Sequence, residues 1–329
     1  MKKTIYIFSD GKLKRKENTL TIETESDKKT IPINAVSDIK IFGEVELNKR
    51  VLEFLTKNKI PIHFYNHYGY YVGSYYPRES LNSGLIVLKQ AEHYIDGERR
   101  LFLAKSFVVG ACLNIIKNLE YYERKKGNLK PVLNIIEERL KNIKNANGIN
   151  NIMQIEGEIK KEYYKAFNII INTEEFFFDK RTKRPPQNPI NALISFGNSL
   201  IYTTVLSEIY RTHLDPRIGF LHETNQRSFT LNLDIAEIFK PIVVDRVIFS
   251  LINKGQIKIK HFEEDIGFSY LTEKGRSIFI KEYEEKLSTT IRYKNLGKVS
   301  YRKLIRLECY KLYKHFLGED TYTPFLAEW

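Results

Sequence analysis

This sequence predicts an α+β fold, with an N-terminal β-rich, β-sandwich-like domain followed by an all-α domain. Three observations carry that expectation. The chain has 329 residues, beyond the roughly 100–200 of a typical single domain, so two domains are the natural division. Before residue 77 the apolar residues come in short runs rich in Ile, Thr and Tyr, whereas after residue 93 they recur at i, i+3 and i+4, the periods of strands and of amphipathic helices. Hydrophobic residues make up 42% and charged residues 28%, a balance that supports a packed core rather than disorder.

Taken in chain order, residues 4–8, 19–24, 30–33 and 39–42 read as strands separated by turn formers at Asp10-Gly11, Lys28-Lys29 and Asn34. Over 48–58, Val51, Leu52 and Leu55 fall at helical spacing, and 60–65 returns to an extended pattern. Residues 68–77 read as a hairpin closing a first domain over 1–77, with a linker over 78–92. The second domain, 93–329, opens on a helix with Leu101, Ala104, Val108, Ala111, Cys112, Ile115, Ile116 and Leu119 on one stripe. Further helices are predicted over 132–143, 152–171, 190–212, 233–253, 274–288 and 301–316.

Lysine and arginine number 53 against 40 acids, a net charge of +13, which points to a polyanionic partner, nucleic acid first. A merely basic protein has the same arithmetic. Cys112 and Cys309 sit in no paired spacing, so neither a disulfide framework nor a zinc cluster is expected and the cytoplasm is the simplest location. The apolar run Thr4 to Phe8 is too short for a signal peptide, and no stretch of about 18 apolar residues is apparent, so no membrane span is expected.

Two segments carry candidate chemistry. In the helix over 152–171, Ile152, Ile155, Ile159 and Tyr163 share a face that Glu156 adjoins. Gly157 follows, and a helix-interior glycine costs about 1 kcal/mol relative to alanine, which asks for a reason such as close approach of another backbone or a ligand. A solvated Glu156–Lys160 pair at i, i+4 accounts for Glu156 equally well. Further on, Asp234 and Glu237 stand three apart on an otherwise apolar helix. Their mutual repulsion calls for a cation, an arginine or a proton, unless Asp234 caps the helix with Glu237 at its third position. His222, in the run Gly219-Phe-Leu-His222, is either a satisfied core histidine or a ligand. One histidine with two or three carboxylates in a basic, cysteine-poor helical domain suits a divalent ion with mixed N/O ligands, Mn²⁺ ahead of Mg²⁺ and both ahead of zinc.

At these residues the sequence resembles a known family, the CRISPR-associated integrase/endonuclease of spacer acquisition, Cas1. The likeness runs over nearly the whole chain. Ser37-Asp-Ile-Lys-Ile-Phe-Gly43, Ile60-Pro-Ile-His-Phe-Tyr65 and Tyr68-Gly-Tyr-Tyr-Val-Gly73 look like its β-domain. Ile155-Glu-Gly157, Lys183-Arg-Pro-Pro-Gln-Asn-Pro-Ile-Asn-Ala-Leu193, Gly219-Phe-Leu-His222 and Leu233-Asp-Ile-Ala-Glu-Ile-Phe-Lys-Pro241 look like its helical motifs, in the family's order. The resemblance implies that the helical domain is catalytic, and that Glu156, His222 and Glu237 ligate Mn²⁺ or Mg²⁺ with Asp234 behind them or as an occasional ligand. It implies transesterification joining a spacer's 3′ ends to a repeat, action on double-stranded and branched DNA, a homodimer joined through the N-terminal domain, and a small Cas2 partner protein.

Eight basic residues face one acid, Glu308, between Arg292 and Lys314. Interleaved tyrosines strengthen a reading of Arg292, Lys298, Arg302 and Arg306 as DNA backbone contacts. Lys183 and Arg184, before Pro185-Pro186, form a second basic cluster, and the resemblance implies a further phosphate contact at Lys240. The competing reading takes 247–279 as a winged-helix-like DNA reader, a non-catalytic binding protein in which Glu156, His222, Asp234 and Glu237 have no reason to converge.

Overall fold

The chain divides into two units, Met1–Asn82 and Ser83–Trp329, and the computed structural model describes residues 2–78, 81, 83–171, 173–183, 185–224, 229–265 and 267–328. The first unit is built on β5 (Val36–Ile41), buried along its whole length, to which β1 (Lys3–Ile7) and β7 (Ile62–Tyr65) pair in parallel. Strand β8 (Tyr71–Tyr75) adds to β7 antiparallel and completes a four-stranded sheet. A second four-stranded sheet runs β4 (Lys28–Pro32), β3 (Thr19–Glu23), β2 (Gly11–Lys16), β6 (Val45–Leu47). Ile7, Ile39, Ile41 and Ile62 of the first sheet join Leu13 and Leu20 of the second and Val51, Phe54 and Leu55 of α1 (Lys49–Lys57) in one apolar cluster. This is the sandwich-like arrangement expected from alternating strands.

Two details differ from the expectation. Strand β2, Gly-Lys-Leu-Lys-Arg-Lys, buries only Leu13 and so carries no visible alternation. Its entry depends on Gly11, at φ +155° and with the Glu23 carbonyl 2.2 Å from where a Cβ would stand, space that only glycine leaves. The hairpin pairs β7 with β8 across Asn66–Tyr70, so residues 68–77 supply one arm and not both.

The second unit is helical from α2 (Gly84–Ile95) onward. That helix occupies most of the expected 78–92 linker, a correction with a local cause. Ser83 accepts from Ile86 N at 3.4 Å to start α2, and Asp96 accepts from Glu98 N and Arg99 N at 3.0 Å to start α3 (Gly97–Lys126). Helix α3 carries a stretch long and apolar enough to cross a membrane, which the sequence reading overlooked, but most of it is buried against α4 (Lys130–Asn142), α5 (Ile149–Ile171) and α7 (Leu231–Phe239). It is the spine of this core. Helix α6 (Pro189–Ile209), buried on nearly every residue, packs on α7, and at Gly197 a Cβ would lie 2.4 Å from Val244 Cγ1.

The helix expected over 233–253 is broken. After α7, Pro241–Asp245 form a π turn before α8 (Arg246–Asn253), because Pro241 has no N–H to continue the ladder. Beyond α8 the unit is not purely helical. Hairpin β9 (Phe262–Asp265)/β10 (Phe268–Leu271) precedes α9 (Glu273–Ser288), and hairpin β11 (Thr290–Arg292)/β12 (Lys298–Ser300) precedes α10 (Tyr301–Phe316). Helix α8, β9/β10 and α9 give the helix–hairpin–helix order behind the winged-helix reading.

Two of the arginines expected on DNA have structural partners. Arg302 Nη2 donates to both Glu284 oxygens at 2.8 and 2.9 Å, tying α10 to α9. Arg306 Nε donates to the buried Glu208 of α6 at 2.6 Å, with Arg211 on the other oxygen at 3.1 Å. Removing Arg306 leaves a water-free carboxylate half compensated. R306A is therefore expected to lose about 2 kcal/mol in chemical denaturation; an unchanged midpoint would return Arg306 to the DNA contacts.

Candidate active site

Glu156 takes a place on the buried stripe of α5, one turn after Ile152 and three residues before Ile159, so its side chain is only 12% exposed. Lys160, one turn on, sets its ammonium 2.7 Å from Glu156 Oε1 and 2.7 Å from Glu237 Oε2. The two carboxylate oxygens are thus no further apart than twice that distance, although they come from different helices far apart in the chain. The pairing with Lys160 expected from i, i+4 spacing exists, but it is half-buried and shared. At Gly157, by contrast, an added Cβ would meet no atom within 4 Å; no protein backbone approaches it.

Glu237 reaches the same place from α7. Lys240 donates to its Oε1 at 2.6 Å and to the Tyr202 hydroxyl of α6 at 2.6 Å. Burial by itself would raise the Glu237 pKa, yet the charges of Lys160 and Lys240 outweigh it and hold the carboxyl well below the usual range. Burial likewise opposes the charge of Lys160 and Lys240, and the facing carboxylates reverse this and raise both. Lys240 is thus largely buried within the site, paired with Glu237 and Tyr202.

Asp234 is fully buried and caps nothing in its own helix. Its Oδ2 accepts from Phe220 N at 2.6 Å and Leu221 N at 3.1 Å, and its Oδ1 from His222 N at 3.0 Å. The same Oδ1 lies 2.7 Å from His222 Nδ1. With Nδ1–H donated there, Nε2 keeps its lone pair for a ligand, the arrangement in which a carboxylate orients a metal-binding imidazole. Glu156 and Glu237 are thus brought together on Lys160, and His222 is held by Asp234, one turn before Glu237 on α7.

Among the described residues no three His, Cys, Asp or Glu side chains stand at the distances of a formed metal cage; the oxygens of Glu237 are turned to two ammonium groups. The donor set nonetheless suits a divalent ion. Two carboxylates and an oriented imidazole are mixed O/N ligands, and Glu156 Oε1 is buried with no aligned hydrogen bond despite the nearby ammonium.

Cations crowd the rim. Asn191 of α6 receives Arg181 Nη1 at 2.9 Å and Thr182 N at 3.2 Å and donates to the Lys180 carbonyl at 2.8 Å, which fixes the 180–183 loop. Exposed Lys183 has its pKa lowered by desolvation and then by Arg181, Lys160 and Lys240, so four cations share one neighbourhood. Arg184 lies outside the described residues. On the β11/β12 hairpin, Arg292 and Lys298 are both exposed and directly opposed across the strands.

The sequence reading missed several residues. Tyr163 receives Asn118 Nδ2 at 2.9 Å and donates to Asp245 Oδ2 at 3.1 Å. Burial raises the Asp245 carboxyl from its ordinary 3.8 to about 7. Cys112 and Cys309 are free and buried, and burial raises both thiols.

The comparisons with known proteins identify the family. The family model described as CRISPR associated protein Cas1 matches residues 5–285. A CRISPR-associated endonuclease Cas1 of Thermodesulfovibrio yellowstonii is 56% identical over 100% of both chains. The solved structure of a Cas1 protein from Thermotoga maritima superposes with a TM-score of 0.88 at 50% identity, covering 99% of this chain and 100% of that one. A casposase bound to an integration product, at 21% identity and a TM-score of 0.89 over 100% of this chain and 95% of its own, shares the fold. The family model and the relatives at about half identity over the whole chain place it in the class of CRISPR-associated nucleases. It belongs to the Cas1 family.

D234A should strip the acceptor from three backbone N–H groups and cost about 3 kcal/mol or more; a urea midpoint close to the parent's would show that the 220–222 loop is held otherwise. For Asp245 the sign is equally definite. Between about pH 4 and pH 7 the unfolded chain gives up this proton while the folded chain keeps it, so its contribution to stability falls as pH rises. D245N never ionises, and its Tm advantage over the parent is expected to widen across that interval; a constant difference would contradict it.

Proposed function

We propose that this chain is a metal-dependent DNA integrase/endonuclease of CRISPR adaptation, joining the 3′ ends of spacer DNA to a repeat by transesterification. The observation behind this is the meeting of Glu156 and Glu237 on one ammonium, with His222 held by Asp234 one turn before Glu237 and its second nitrogen left for a ligand. Family membership and the fold shared with a casposase held with its integration product support it.

Glu156, His222 and Glu237 would hold the ion, Mn²⁺ or Mg²⁺, and Asp234 keeps the imidazole turned toward it. Such an ion supplies charge stabilisation at the phosphodiester and alignment of the attacking and leaving oxygens. The attacking group is a DNA 3′-hydroxyl, so no side chain of the chain is needed as a covalent nucleophile. Lys160 and Lys240 balance the negative charge gathered at the phosphorus, and Tyr202 steadies Lys240. Lys183 would meet a flanking phosphate, and Arg292 with Lys298 would offer a second backbone contact on an exposed hairpin. The working assembly in this reading is a homodimer joined through the N-terminal domain, with two dimers flanking a dimer of the small Cas2 partner on double-stranded or branched DNA in the cytoplasm.

The test is strand joining with Mn²⁺ or Mg²⁺ on branched and duplex DNA. E156Q, H222A and E237Q are each expected to cut the joining rate by about 100-fold or more while DNA affinity stays within about threefold. K183A together with R292A and K298A is expected to do the reverse, weakening DNA binding with a shallower salt dependence. Full joining by any of the first three variants removes that residue from the site, and DNA binding with no metal-dependent chemistry in the parent would favour the winged-helix-like binder.

A further inference from the structure

Pro241 stands one turn after Glu237 and has no N–H to return to that carbonyl. The backbone continues through the π turn, in which Asp245 N donates to the Lys240 carbonyl at 3.1 Å. Such a break takes carbonyls off the regular ladder beside Glu237 and Lys240, and buried carbonyls require donors. Two side-chain amides one turn apart on α3 supply them. Asn114 Nδ2 donates to the Ile238 carbonyl at 2.9 Å and Asn118 Nδ2 to the Pro241 carbonyl at 3.1 Å; both asparagines are fully buried.

Asn114 holds a third element as well. Its Nδ2 donates to the Phe325 carbonyl at 3.0 Å, and its Oδ1 accepts from Ala327 N at 2.8 Å. Around it the C-terminal segment is seated closely. The Phe325 ring stacks on Phe239 of α7 with centroids 5.5 Å apart, and Pro324 fills the space beside Gly110 of α3, where a Cβ would come within 2.5 Å. Tyr322 and Phe325 N both donate to buried Glu308 of α10, at 2.6 and 3.2 Å.

We infer that Asn114 is a positioning residue for Glu237: one buried amide locks the C-terminal segment over 322–327 and the backbone just after Glu237 to the same turn of α3, and so sets where that carboxylate lies. Its chemistry is specific, since an amide offers two N–H donors for two carbonyls and an oxygen for one N–H. Leucine offers none of these, and serine a single hydroxyl. This inference rests on the metal-site reading of Glu156, His222 and Glu237.

The experiment compares full-length N114L and N114S with the parent by Mn²⁺ titration without DNA, followed by electron paramagnetic resonance, and by DNA affinity and strand-joining rate. Mn²⁺ affinity is expected to fall about tenfold or more, as for residues that orient a ligand, with joining reduced at least as much and DNA affinity within about twofold. A purely structural role would lower Tm and leave Mn²⁺ affinity and the rate per folded molecule at parental values. That result in a folded variant overturns the inference; if N114L does not fold, N114S decides. A parent that takes up no Mn²⁺ sinks the metal-site reading and this inference with it, whereas a parent that binds Mn²⁺ beside variants that bind it equally sinks this inference alone.

Discussion

The arrangement of the helical unit depends on one carboxylate with no access to water. Asp234 accepts the backbone N–H groups of three consecutive residues, Phe220, Leu221 and His222, and the ring of the last. An ionised carboxylate in that position is stable only because all of its acceptor capacity is used. The same bonds that make it tolerable fix a loop with no regular structure onto α7. The imidazole orientation is therefore a by-product of satisfying a buried charge, and Glu237, one turn along α7, inherits a fixed relation to it.

The broad fold was legible because burial imposes periodicity. Strands β1, β3, β4, β5 and β7 and most helices could be located from it. What was lost follows from the same physics. Strand β2 is exposed on four of its six positions, so lysine hides its pairing. The interruption of the helix expected over 233–253 was written in Pro241, yet apolar periodicity on both sides masked it, since α7 and α8 both bury the faces that one long helix would bury. The second unit's hairpins are three or four residues per strand, too short for alternation to stand out.

The site was legible in its acids and histidine and illegible in their counterweights. Glu156, His222, Asp234 and Glu237 were noticeable as ionisable groups on apolar faces. Lys160 was visible only as a neighbour of Glu156, because spacing within one helix says nothing of a carboxylate arriving from another. Asn114 and Asn118 were polar residues at i, i+4 within the apolar α3, a signal present in the sequence that acquires meaning only beside the break at Pro241. The basic run after Arg292 misled in part: Arg302 and Arg306 are drawn inward by Glu284 and Glu208, and composition alone cannot separate an arginine that holds two helices together from one that faces solvent.

Lys160 and Lys240 have a bearing on how the molecule meets its partners. A pocket lined only by acids presents a Coulombic barrier to a polyanion until a metal neutralises it, which forces a fixed order of loading. Here two ammonium groups already offset two carboxylates, so in the proposed function nucleic acid would meet no net repulsion at the centre. In that reading the order of arrival would be governed by concentration and affinity rather than by charge, and an incoming cation would have to compete with an amine the protein carries itself.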